Sequence, residues 1–203
     1  MIGPLYFVTD PDAALPVVEQ ALQAAKGGAR TVQLRDKAAS DAQMLAQALA
    51  LKDALPEGVQ LLVNDRVEVA IRAGLWGLHI GQSDGDPRAV RARIGPNIVL
   101  GLSIENEGQL AQVPRECVDY LGVGPVRATA TKPDHALPVG FDGLARIVAR
   151  AGLPCVAIGG VGTGDMAVVK GTGAVGVAVV SAISRAADPE VAARGLLDEW
   201  SAA

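Results

Sequence analysis

Aromatic residues make up only 3% of this 203-residue chain, so its core must be built from Val, Ile, Leu and Ala. Basic residues are in deficit: the net charge is −4 and the isoelectric point about 5.2. That balance excludes a surface made to hold nucleic acid by charge alone. An anion can still be bound here, but by a few local groups. Cysteine is limited to Cys117 and Cys155, far apart and outside any C-x-x-C pattern. They read as small buried hydrophobes in a reducing compartment. The most apolar run, residues 173–183, is too short and too rich in Gly to span a bilayer. The opening MIGPLYFVTD has no basic n-region and reaches an acidic residue at Asp10. A cytoplasmic protein is the resulting expectation. Hydrophobic residues, at 50%, are ample for a core and exclude an intrinsically disordered chain. The length fits one domain, residues 1–203.

Two textures alternate along the chain. Eight apolar runs, at 5–10, 31–36, 61–65, 77–81, 98–103, 119–125, 154–160 and 174–181, end in polar residues or Gly. Both of their faces are apolar, as in buried parallel strands. Helical segments are predicted between them at 12–26, 40–55, 66–73, 87–94, 106–113, 141–151, 163–170 and 188–201. Ser40 supplies a start signal, Gly74, Gly95 and Gly152 supply stops, and Pro189 suits a first helical turn. Eight β-then-α units predict a compact (β/α)₈ TIM barrel. The alternative is a doubly wound open sheet, but no Gly-x-Gly-x-x-Gly follows the first strand. Residues 124–140 are too long for a mere connector and are the candidate lid.

In either architecture chemistry collects where strands end. The predicted ends carry Gln33, Arg35, Asp36 and Lys37, then Asn64, Asp65 and Arg66, then His79, Gln82 and Asp84, then Ser103. Later ends carry Thr129, Thr131 and Lys132, the pair Gly159-Gly160, and Ser181. Arg35, Lys37 and Lys132 offer a bidentate fork and point charges for a phosphate-rich ligand. Asp65 and Asp84 suit Mg²⁺, which usually takes one or two protein carboxylates with water and substrate phosphates. The bland readings are surface ion pairs for the cations, a helix cap for Asp65 and a turn for Asp84. Gly159-Gly160 leaves backbone N–H groups open to an anion, or merely makes a turn. A lone barrel-interior His79 reads first as a satisfied core residue. No zinc spacing, nucleophile elbow or Ser/His/Asp set is present.

Read in order, LYFVTD, QLRDK, LLVND, GLHIGQSD, GLS, YLGVGPVRATATK, AIGG and VVSAI resemble the thiamine-phosphate synthase (thiamine-phosphate pyrophosphorylase) family over nearly the whole chain. The Gly124-Pro125 pair followed by Thr129-x-Thr131-Lys132 is the most specific element. The resemblance implies a (β/α)₈ transferase of thiamine biosynthesis. It would join hydroxymethylpyrimidine diphosphate to hydroxyethylthiazole phosphate, releasing pyrophosphate and forming thiamine phosphate by a Mg²⁺-assisted dissociative substitution. Gln33, Arg35 and Lys37, completed by Asn64, Ser103 and Lys132, are implied for the pyrimidine diphosphate. Arg35, Ser103 and Lys132 are implied as catalytic, and Asp65 and Asp84 as ligands of one Mg²⁺ per site. Thr129 and Thr131 are implied for the thiazole phosphate, with its phosphate on Gly160, Val180 and Ser181. The implied partners are small molecules, with neither nucleic acid nor membrane; a homo-oligomer stays open.

Two departures from the family pattern stand out: Arg127 where a hydrophobic or aromatic pair is usual, and Ile104-Glu105 after GLS. Arg127 reads either as an added cation near the phosphates or as a solvated side chain. The rivals are a thiazole tautomerase-like paralogue, a non-catalytic phosphate-binding barrel and a phosphate-sugar isomerase. The first two would be expected to lose the diphosphate set or the paired carboxylates, both of which are present. The third wants a Glu or His base at a strand end, where only His79 is available.

Overall fold

The structure, a computed structural model, describes residues 2–129, 131 and 136–203. Lys132 and His135 therefore lie outside the described residues. The expected strands form, most of them slightly shorter and β3 and β5 shifted by one residue: β1 (Leu5–Val8), β2 (Thr31–Leu34), β3 (Gln60–Asn64), β4 (Gly77–Ile80), β5 (Val99–Ile104), β6 (Tyr120–Val123), β7 (Cys155–Ile158) and β8 (Gly176–Val179). Each pairs in parallel with the next, and β8 pairs with β1 through Leu5↔Val177 and Phe7↔Val179. The result is a closed (β/α)₈ barrel with no open edge, the first of the two predicted architectures.

The helices are α1 (Val17–Lys26), α2 (Asp41–Ala54), α3 (Val67–Ala73), α4 (Pro87–Ile94), α5 (Glu107–Leu110), α6 (Gly140–Ala151), α7 (Met166–Gly171), α8 (Ser181–Ser184) and α9 (Pro189–Ala202). Their starts follow side-chain chemistry. Ser40 and Gln43 form a reciprocal capping box at α2, and Asp86, Asn106 and Asp188 accept backbone N–H groups at α4, α5 and α9.

Three boundaries differ from expectation by more than one residue. Helix α1 starts after Pro16 rather than at Asp12, because the Asp10 carboxylate accepts the Asp12 N–H in a local turn. Helix α7 starts at Met166 rather than Thr163, because Asp165 accepts the Gly162 N–H and holds 162–165 as a turn. Helix α5 is a single turn that stops at Leu110, short of the expected end at 113. Helix α8 was not expected at all; its apolar sequence runs on from β8.

The large core lies between barrel and helices, with Phe7, Leu34, Met44, Leu51, Leu78 and Ile80 fully buried. A smaller cluster of Tyr6, Val8, Leu62, Tyr120, Val156 and Ala178 fills the inside of the barrel. Two tyrosines and His79 fit there because glycine stands beside them. A Cβ on Gly101 would lie 2.2 Å from the Tyr120 ring and 2.5 Å from His79 Nδ1, and one on Gly122 would lie 3.0 Å from the His79 ring. Cys155 is buried, and its thiol is pushed up to about 12 by that burial; Cys117 is also a free thiol. Among the described residues no helix is long and apolar enough to cross a membrane.

Candidate active site

A cavity of about 400 Å³ opens at the carboxyl ends of the strands. Gln33, Arg35, Lys37, Asn64, Asp84 and Ser103 line one part, delivered by β2 to β5. Thr129, Thr131, Gly160, Val180 and Ser181 line the other, delivered after β6 to β8. The two threonine hydroxyls lie 2.9 Å apart. Residues spread over most of the chain thus share one mouth, as the barrel topology requires. Lys132 follows Thr131 directly in sequence but falls outside the described residues.

The cations at this mouth are available. Arg35 and Lys37 make no side-chain ion pair among the described residues, so the surface-salt-bridge reading fails for both. Arg66, by contrast, is held by Asp65 at 2.8 Å and by Asp41 at 3.2 Å.

Of the two expected metal carboxylates, Asp84 lines the cavity, whereas Asp65 is not among its lining residues and is paired with Arg66. Asp65 has φ 51°, in the left-handed region that Asp tolerates better than most residues. It does not cap α3. Its oxygens accept instead from Asn64 Nδ2 at 2.7 Å and Arg66 Nη1 at 2.8 Å. Burial pushes its carboxyl above the usual range; the Asp84 charge adds to this, while Arg66, Lys37 and Arg35 pull the other way. Asp84 Oδ2 accepts the Gly81 N–H at 2.7 Å, so the expected turn forms and still leaves the carboxylate in the cavity wall. Asp84 would offer a small divalent cation a hard oxygen donor in the wall, and Asp65 would have to share with it oxygens already held by Asn64 and Arg66. Among the described residues no cluster of three or more metal-ligating side chains exists.

The Gly159-Gly160 pair is more than a flexible turn. Both residues have positive φ, 87° and 67°. A Cβ on Gly159 would lie 2.6 Å from Pro125 Cβ, and one on Gly160 2.7 Å from Arg127 Cβ. Glycine is what lets the β7 loop pack against the β6 loop while still facing the cavity. Arg127 is half-exposed but not free in solvent. It makes a two-point ion pair with Asp165 and donates to the Gly160 carbonyl at 3.2 Å.

His79 is the satisfied core residue anticipated, with one difference: it also reaches the cavity wall. It is 7% exposed, and burial lowers its pKa to about 4, against a small upward pull from Asp84. Sequence reasoning missed one feature of the wall. Asp10, buried at the end of β1, accepts from Arg185 Nε at 2.9 Å and Ser184 Oγ at 3.3 Å. The signal was present, since Asp10 ends the first apolar run as Asp65 ends the third.

The geometry can be set beside known proteins. Residues 5–183 match the family model described as thiamine monophosphate synthase. The chain is 49% identical over 195 residues to a thiamine-phosphate synthase of Xanthobacter autotrophicus, covering 95% of this chain and 92% of that one. It is 46% identical over 198 residues to one of Chloroflexus aurantiacus, covering 95% and 90%. The solved thiamine phosphate pyrophosphorylase of Pyrococcus furiosus superposes with a TM-score of 0.89 at 31% identity, covering 99% of this chain and 96% of that one. A barrel of this topology, with these motifs in order around one mouth, belongs to the thiamine monophosphate synthase family.

Proposed function

We propose that the chain is a thiamine-phosphate synthase, a transferase that joins hydroxymethylpyrimidine diphosphate to hydroxyethylthiazole phosphate and releases pyrophosphate. The observation that carries this reading is the two-part cavity. Arg35 and Lys37, without a side-chain ion pair among the described residues, and the Asp84 carboxylate, with Asp65 behind it, suit a metal-bound diphosphate on one side. The Thr129–Thr131 pair and the Gly160 and Ser181 backbone suit a monophosphate on the other.

In this reading Gln33, Asn64 and Ser103 hold the pyrimidine, and Arg35 and Lys37, with Lys132, neutralise charge as it grows on the departing pyrophosphate. Asp65 and Asp84 would hold Mg²⁺, which when bound supplies further charge compensation to the leaving group. The carbon–oxygen bond breaks to leave a methylene cation stabilised by the ring's amino group. The thiazole nitrogen then attacks that carbon from the opposite pocket. The protein needs no nucleophile and no general base, and a neutral, doubly hydrogen-bonded His79 agrees with that economy. Its main contribution is to position two substrates.

Incubation with both substrates, with and without Mg²⁺, tests the reading. The expected outcome is thiamine phosphate and pyrophosphate in equal amounts, with Mg²⁺ required. Binding of the thiazole phosphate with no coupled product would overturn it in favour of a tautomerase-like role.

A further inference from the structure

A chain of side-chain hydrogen bonds crosses the barrel interior and joins two residues of the pyrimidine side. Gln33 Nε2 donates to Tyr6 Oη at 2.6 Å. Tyr6 Oη lies 3.0 Å from Tyr120 Oη, which lies 2.9 Å from His79 Nδ1. His79 Nε2 lies 2.9 Å from Ser103 Oγ. The two ends of the chain line the cavity, whereas Tyr6 and Tyr120 are 2% and 1% exposed.

The direction of the protons follows from the donor at one end. An amide nitrogen only donates, so the Tyr6 oxygen accepts. The Tyr6 proton then needs an acceptor in a dry interior, and among the described residues Tyr120 Oη is the one within reach. Tyr120 accepts from Tyr6 and gives its own proton to His79 Nδ1. A neutral imidazole that accepts at Nδ1 carries its proton on Nε2 and donates it to Ser103. His79 is neutral here, since it is buried and no carboxylate is hydrogen-bonded to it. The Ser103 proton is then left for a ligand, and the Gln33 amide, its Nε2 turned to Tyr6, keeps Oε1 free as an acceptor beside one remaining Nε2 hydrogen.

We propose that this relay fixes the hydrogen-bonding sense of both cavity groups, Ser103 as donor and Gln33 as acceptor, so that the site selects a heteroaromatic ring bearing an amino group over its oxo counterpart. Tyr6, Tyr120 and His79 are the positioning residues. An amino N–H meets the Gln33 oxygen as a donor, whereas an oxo group facing that oxygen sets one acceptor against another. The ligand half of this inference rests on the proposed pyrimidine site, whereas the proton order does not.

Long-range proton–nitrogen correlation spectra of the nitrogen-15-labelled full chain test it, with His135→Gln used to assign the His79 signals. The native protein is expected to show the Nε2–H tautomer at His79. Gln33→Glu introduces a carboxylate that only accepts at about pH 8. Every bond in the chain then reverses, and His79 switches to the Nδ1–H tautomer from three hydrogen bonds away. Tyr6→Phe removes one oxygen that does not touch His79 and is expected to leave both tautomers populated; it carries the test alone if Gln33→Glu does not fold. A native Nδ1–H tautomer, or a tautomer unmoved by these substitutions, overturns the relay.

In equilibrium binding without the thiazole phosphate, the affinity for the amino over the oxo pyrimidine diphosphate is expected at about 100-fold in the native protein and a few-fold in Tyr6→Phe. An unchanged ratio in Tyr6→Phe overturns the selectivity. The expected tautomers in a protein that makes no thiamine phosphate would sink the functional reading and leave the relay standing. Turnover without the expected tautomers would do the reverse.

Discussion

Arg127 grips Asp165 through both terminal guanidinium nitrogens, Nη1 at 2.6 Å and Nη2 at 2.8 Å, across the gap between the β6 and β7 loops. The guanidinium also lies 4.7 Å from the centre of the Phe141 ring at the start of α6. One side chain thus fixes the root of the long 124–140 segment to the loop that carries Gly160. Burial alone would raise the Asp165 carboxyl. The hydrogen bonds from Arg127 and the Gly162 N–H, with the Arg127 charge, outweigh it and hold the carboxyl below its ordinary range.

Removing that grip loosens the thiazole-phosphate side without touching the pyrimidine side. Arg127→Ala is expected to raise KM for thiazole phosphate about fivefold while leaving KM for the pyrimidine diphosphate within about twofold. Steady-state kinetics with each substrate varied in turn checks it. Equal changes in both would count against a local role.

Asp65 combines a left-handed backbone with a carboxylate beside Asp84. Asp65→Asn keeps a residue tolerant of that backbone and removes the charge. The Mg²⁺ concentration for half-maximal rate is expected to rise at least about tenfold, with an unchanged circular dichroism spectrum. An unaltered Mg²⁺ dependence would sink the metal assignment.

Gly160→Ala places a side chain at φ 67° and 2.7 Å from Arg127 Cβ. It is expected to lower stability by about 1–3 kcal/mol in urea unfolding and to raise KM for thiazole phosphate. Gly195→Ala, in open space on α9, is the control and is expected to be neutral or slightly stabilising.

His79 carries a pH signature. Its folded pKa of about 4 lies below the ordinary 6.5, so the unfolded chain binds the extra proton between those values. The neutral ring therefore contributes stability that is fully present above 6.5 and is lost as pH falls toward 4. Between about pH 6.5 and 5 this amounts to roughly 2 kcal/mol. Urea unfolding at both pH values should show a smaller acid loss in His79→Gln than in the native chain. An equal loss in both would mean that the ring is not held neutral by the fold.

The barrel was legible because parallel strands covered on both faces leave a simple trace: short apolar runs punctuated by Gly and polar ends. The mouth was legible for the same reason, since whatever follows those runs must share one rim. What remained hidden were relations across the chain. Asp10 and Asp165 look like helix starters, but each is claimed by backbone N–H groups and an arginine from a distant unit. The 181–184 turn was hidden because its apolar residues extend the β8 run without a break. The polar relay inside the barrel was hidden because strands apolar on both faces give no period to say which residues point inward. Tyr6 and Tyr120 counted only as hydrophobes.

The seam between Asp10 and Arg185 has a consequence for biogenesis. Its partners stand 175 positions apart, and Gly160, Val180 and Ser181 also come late. A ribosome releases the Arg35–Lys37 half of the mouth long before the other half exists. Until translation passes residue 185, the nascent polypeptide holds an open, unsealed arc of strands.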